Sequence, residues 1–151
     1  MAIGTDSVIE FFGTQDTVTS STSSVANAAF SVSGDISAWT NDDDSPTAIA
    51  ILECTYATAP SAGSVVNLYA RPINIFSTSD QDTPDANFQH VYLGSFPLND
   101  VTSEQFIPIE ISLINTKTSQ EYEFYIENKG GQTISAGWDL HITPKTFGPH
   151  P

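Results

Sequence analysis

Apolar residues recur at every second position along most of this chain, and no stretch of ten or more residues carries them at the 3.6-residue spacing of a helix. That period fixes the fold class. Successive side chains of a strand point to opposite faces, so a chain written with period two has to bury one face of several strands against another sheet. Residues 104–114 show the pattern plainly, with Ile107, Ile109, Ile111 and Leu113 on one side. Ile134, Ala136, Trp138, Leu140 and Ile142 repeat it as an inward set over 133–143. Composition agrees: Ile and Val number 22 against 7 for Leu and Met, and 17 Thr add further β-branched residues.

The remaining segments extend the reading. Residues 6–12 form a short strand, and the Ser/Thr-rich stretch 13–29 is a polar edge strand or an arm that orders on contact. Residues 28–33 are a further strand candidate before Gly34-Asp35, and Asn41 to Pro46 is an acidic breaker. The run 47–57 is apolar on both faces, which marks a central strand. Residues 65–76 follow, with Pro72 suggesting a bulge or an edge, and then an acidic loop from Ser77 to Asn87. Strand 88–96 stops before Pro97. Residues 121–127 and 133–143 read as a hairpin across Asn128 to Gln132, and the proline-rich tail 144–151 as extended chain.

About eight strands with turn signals every ten to fifteen residues or so predict an antiparallel β-sandwich. A jelly roll is preferred, with an immunoglobulin-like sandwich as the alternative. The 151 residues suit one domain with a real core, flanked by an N-terminal arm within 1–29 and a C-terminal tail over 144–151.

Charge narrows the partners. The formal net charge is −14, and the four cations, Arg71, Lys117, Lys129 and Lys145, do not cluster in the sequence, so a nucleic acid is not an expected partner. The longest apolar run, residues 48–52, is far too short to span a bilayer, and the first residues carry no basic leader or apolar stretch of a secretory signal. Neither a membrane role nor a signal is expected.

Candidate chemistry is sparse. Glu121, Glu123 and Glu127 share one strand face at a spacing that approaches a glycosidase carboxylate pair, yet the same pattern describes a solvated face, which is the reading adopted. Asp42, Asp43 and Asp44, like Asp80, Asp82 and Asp85, offer oxygen ligands of the kind calcium takes, but Pro46 and Thr47 stand where an EF-hand needs an oxygen ligand and a glycine. These are read as ordinary acidic turns. His90, His141 and His150 lack metal-ligand spacing, and no nucleophile elbow or phosphate loop is present. Neither catalytic residues nor a cofactor or metal are therefore expected. Cys54 lies in an apolar strand and reads as a buried structural thiol. Trp39, Tyr69, Tyr92 and Tyr125 are expected on outward faces or loops, where rings can stack on sugars or bury against a protein; with Arg71 they are the candidate partner-binding residues. Trp138 belongs to the core.

Residues 67–75 (NLYARPINI), 92–98 (YLGSFPL), 121–128 (EYEFYIEN) and 132–138 (QTISAGW) resemble small virion proteins of tailed bacteriophages, above all capsid decoration or cement proteins. The likeness covers residues 65 to about 150 and is one of structural texture. It implies a β-sandwich present in many copies on the outside of an assembled head, often as a homotrimer, with the major capsid protein as partner. It further implies a non-enzymatic protein made in the bacterial cytoplasm and ending in the virion. A carbohydrate- or receptor-binding module of a tail or head fibre is the alternative.

Overall fold

The alternating segments build two antiparallel sheets in a computed structural model that describes residues 8–88 and 91–149. Among those residues the strands are β1 (Val8–Phe12), β2 (Asp16–Ser20), β3 (Trp39–Asn41), β4 (Thr47–Cys54), β5 (Val65–Ile73), β6 (Val91–Pro97), β7 (Gln105–Ser112), β8 (Gln120–Lys129) and β9 (Asp139–Pro149). A five-stranded sheet runs β1-β9-β4-β7 with β2 also paired to β9, and a four-stranded sheet runs β3-β8-β5-β6. From β2 to β9 the chain crosses between sheets at every step except β5 to β6, giving the orders 2-9-4-7 and 3-8-5-6. Those are the paired Greek keys of a jelly roll. The fold is an all-β antiparallel sandwich, and its strand order sets aside the immunoglobulin-like alternative.

The core is where the inward halves of the alternation meet. β4 and β9 supply Ala48, Ala50, Leu52, Cys54, Leu140 and Ile142 from one sheet. Val66, Leu68, Phe96, Phe124 and Ile126 face them from the other. Each such leucine, isoleucine or phenylalanine contributes about 1.5–3 kcal/mol by leaving water, which is what holds two sheets together against chain entropy. Trp138 joins the core, with its indole N–H donating to the Ser23 carbonyl at 3.1 Å. Cys54 is buried, and burial pushes its thiol up to about 12, so it is the structural residue its strand position suggests.

Four expectations need correction. Residues 121–127 and 133–143 do not form a hairpin: β8 and β9 lie in opposite sheets. The alternation reports which side faces the core, and strands on opposite walls of one core share that signature. The connection turns at Gly131 and Gly137, whose φ angles of 78° and 87° an L side chain rarely adopts, and Ala136 is exposed within it, outside the inward set. Residues 28–33 make only one isolated bridge, Phe30 to Glu127, before a turn of 3-10 helix at Ser33–Asp35. Residues 144–149, read as an extended tail, complete β9 and pair with β1. Pro72, expected at a bulge or an edge, lies within β5 opposite Tyr122 of β8.

Candidate functional site

Each sheet has an outward face, and the two faces are built differently. On the four-stranded sheet, β8 turns Glu121, Glu123, Tyr125, Glu127 and Lys129 away from the core. β5 sets Ile73, Arg71, Tyr69 and Asn67 opposite the first four of them in turn. The register places complementary groups side by side. Arg71 donates to Glu123 at 2.8 Å and pairs with Asp80 at 3.6 Å, and the Tyr125 hydroxyl donates to the same Glu123 carboxylate at 2.8 Å. Glu127 accepts from Asn67 and from the Tyr69 hydroxyl, both at 3.1 Å, and is bridged by the Lys129 ammonium. Burial works to raise the Glu127 carboxyl, but Lys129, Asn67 and Tyr69 together outweigh it and hold the group below its ordinary range. Glu121 accepts from the Asn74 amide at 2.9 Å.

The chain then covers this face itself. The Arg71 Nε donates to the Gln81 carbonyl at 2.7 Å, the Gln81 N–H donates to the Pro72 carbonyl at 3.2 Å, and Asp80 accepts the Asn74 N–H at 2.8 Å. Those bonds pin the loop of residues 77–88 along the sheet, with Thr83 beside the Tyr125 hydroxyl. Burial, reinforced by Glu123, pushes that hydroxyl up to about 12. On the other side Phe30 and Tyr92 close over Tyr69, with ring centroids 5.5 and 5.7 Å from it.

The expected contact residues are therefore half assembled. Tyr69, Arg71, Tyr92 and Tyr125 do share one outward face, as strand alternation implies. Tyr69 and Tyr125 are nonetheless only 4% and 1% exposed, and Arg71 is engaged in the loop, so Tyr92, at 55%, is the ring available to a partner. Alternation identifies the outward side of a strand but is blind to a later loop folding over it. Trp39 corrects the expectation outright. It lies in β3 opposite Tyr122, faces the core at 7% exposure, packs against Tyr122 and Phe124, and donates from Nε1 to Asp16 at 2.9 Å. Its neighbours in sequence offered too short an alternating run to reveal a strand.

The acidic turns serve the backbone. Asp44 accepts the Ser119 N–H at 2.7 Å, and Asp85 caps the N–H groups of Asn87 and Phe88 at 2.6 and 2.9 Å. All four cations of the chain are in ion pairs: Arg71 and Lys129 as described, Lys117 with Glu121, and Lys145 between Glu110 and Glu10. No basic stripe for a phosphate backbone is left among the described residues.

The outward face of the five-stranded sheet carries what sequence reasoning missed. By register, β7 places Phe106 beside Glu53, and β1 and β9 add Val8, Phe12 and Phe147. These stand 60%, 67%, 59% and 50% exposed for Phe106, Val8, Phe12 and Phe147. Lys145 lies beside Phe12 and Phe147, with its ammonium 5.5 Å from the Phe147 ring. Glu53, Asp139 and His141 converge on the same face, with one ligand atom of each within 4.8 Å of the others. The spacing rules for histidine pairs pass over this set. The legible signal is Asp139-Leu140-His141, whose outer members, two apart in a strand, necessarily share a face. His90 and His150 lie outside the described residues.

No family model matches the chain, and no curated protein is similar to it. Among solved structures it is loosely similar to one of Desmodium yellow mottle tymovirus, at a TM-score of 0.37 and 14% identity over 100% of this chain and 92% of the other. A structure of turnip yellow mosaic virus gives 0.32 and 11% over 100% and 85%. One of the Gx strain of infectious bursal disease virus gives 0.38 and 13% over 95% of this chain and 34% of the other. At these scores the jelly-roll assignment rests on the strand order itself.

Proposed function

We propose that this chain is a non-enzymatic virion structural protein that binds the outer surface of an assembled phage capsid and stabilises it, acting as a decoration or cement protein. The observation that carries the reading is the outward face of the five-stranded sheet. A chain of net charge −14 keeps Phe12, Phe106 and Phe147 at least half exposed there, on regular strands where polar residues would serve equally well. Apolar surface of that kind is what a protein partner covers. The segments that resemble phage decoration proteins support it from another side, since residues 67–75, 92–98 and 121–128 fall largely on β5, β6 and β8, three neighbours in one sheet.

In this reading the self-sealed four-stranded sheet is turned to solvent, and the net charge of −14 keeps a crowded particle soluble. The aromatic face meets the major capsid protein. A homotrimer multiplies contacts that are individually modest, and a protein that binds the assembled lattice better than free subunits stabilises the lattice by mass action. The test is to add purified protein to undecorated heads and measure co-sedimentation and resistance to heat. Binding together with a raised disruption temperature is expected. Heads that neither retain the protein nor gain heat resistance overturn the proposal.

A further inference from the structure

Glu53 and Asp139 are directly opposite each other in the β4–β9 ladder and on its solvent side. Two like charges in such a position repel. Glu10, Glu110 and the glutamates of β8 are answered by cations, and all four Lys and Arg side chains are engaged with those acids or with Asp80. What stands beside this pair is the His141 imidazole, with Nε2 3.4 Å from Glu53. The ring is held from behind by the Thr17 hydroxyl, 3.0 Å from Nδ1, so that Nε2 is the nitrogen presented to the carboxylates. Thr17 comes from β2, placed opposite His141 by the β2–β9 pairing just before a register shift.

We propose that Glu53, Asp139 and His141 form a binding site for a divalent transition-metal ion of the zinc class, with Thr17 as its positioning residue. The donor set is one imidazole nitrogen and two carboxylates, and two negative charges around a neutral imidazole balance a dication. Bonds of about 2.0–2.2 Å to nitrogen and oxygen put tetrahedral ligands about 3.4 Å apart, which matches the separation of His141 Nε2 from Glu53. All three side chains are half-buried, so the ion sits against the sheet with its remaining coordination position toward solvent or a partner. A nitrogen ligand selects against calcium and magnesium, which take oxygen. Hydrogen-bonding the non-ligating nitrogen fixes the ring in the way such sites ordinarily require. The ion would tie β4 to β9, and it stands apart from the virion reading, since it is measured on the isolated protein.

Chelator-treated full-length protein titrated calorimetrically with zinc chloride is expected to bind one ion per chain, with a rise in melting temperature that chelator reverses. Calcium chloride is expected to give neither effect. His141→Gln and the isosteric Asp139→Asn should each abolish the zinc-dependent rise in melting temperature, while Thr17→Val should weaken binding roughly tenfold. Cobalt chloride should give the visible absorption of a tetrahedral ion in the wild type and lose it in either ligand variant. Circular dichroism confirms that each variant compared is folded. Zinc heat and stabilisation that survive both His141→Gln and Asp139→Asn would place the ion elsewhere and overturn the assignment. So would a wild type that takes up no zinc, or one that binds calcium equally well.

Discussion

The two outward faces of this sandwich come from the same alternating pattern and end in opposite conditions. On the four-stranded sheet the outward tyrosines Tyr69 and Tyr125 are covered by Phe30, Tyr92 and the loop of residues 77–88, and every glutamate of β8 has a partner. On the five-stranded sheet Phe12, Phe106 and Phe147 remain open. The lesson is that orientation away from the core does not decide whether a side chain meets water. A face that its own loops close has become a second, smaller interior, and a face left open is available to another molecule.

The sharpest way to break this comparison is to truncate one aromatic on each face. Tyr125→Ala should cost about 3–5 kcal/mol, as for other fully buried aromatics, because the ring and its bond to Glu123 are lost beneath a loop that cannot fully collapse. Urea unfolding measures it. A loss within about 0.5 kcal/mol, the range of ordinary surface positions, would mean that the face is not sealed.

Next in size is Arg71→Ala. It removes the donor to Gln81 and leaves the Glu123 carboxylate, itself four-fifths buried at 20% side-chain exposure, without its cation. Hydrogen bonds to charged groups contribute about 1.5–3 kcal/mol, so a loss in that range is expected. Faster proteolysis within residues 77–88 should accompany it, because Arg71 supplies two of the ties that fasten that loop to β5, to the Gln81 carbonyl and to Asp80. Unchanged cleavage there would show the loop held by other means.

How much of this was legible beforehand follows from what a period-two pattern encodes. The runs that became β4, β7 and β8 are long enough for their alternation to fix strand and face together. The pattern is silent on which wall of the core a strand joins, so β8 and β9 read as a hairpin while lying in opposite sheets. It is equally silent on coverage. Tyr125 and Phe106 are both outward residues by parity, yet Tyr125 lies on an inner strand beneath a folded-back loop and Phe106 on an edge strand, with exposures of 1% and 60%. Trp39 failed for a further reason, since a three-residue strand offers a single alternation. The Glu53, Asp139 and His141 set required knowing that β4 and β9 are neighbours, a long-range pairing that local spacing cannot supply.

A pH measurement sharpens the contrast with less cost to the fold. The Glu127 carboxyl is held below its unfolded value by Lys129, Asn67 and Tyr69 against the opposing effect of burial. The group therefore contributes stability that is fully present above the unfolded value of about 4.3 and is lost as the pH falls through the folded value. Glu127→Gln keeps the shape and can still accept from Tyr69 and Asn67, so a loss of about 1 kcal/mol at neutral pH is expected. The larger sign is in the slope. Urea midpoints between pH 6 and pH 3, referred to the wild type, should fall less steeply in the variant. Parallel slopes would show that Glu127 titrates alike in the folded and unfolded chain.

The smallest effect on stability carries the most about function. Phe106 is 60% exposed at the outer edge of β7, so Phe106→Ser removes little buried surface and should change the urea midpoint of the isolated protein by no more than about 0.5 kcal/mol. If the five-stranded sheet is the adhesive face, the same substitution should weaken retention on undecorated heads by roughly tenfold or more, the equivalent of about 1.4 kcal/mol, since truncating an aromatic anchor commonly costs more than that. Tyr92→Ala, on the sealed face, then serves as the matched control, being an aromatic of similar exposure at 55%. Retention lost with Tyr92 and kept with Phe106 would reverse the two faces, making the acidic sheet the one that binds. Because Tyr92 also packs on Tyr69, urea midpoints of both variants accompany the comparison, so that a difference in retention reads the surface and not the fold.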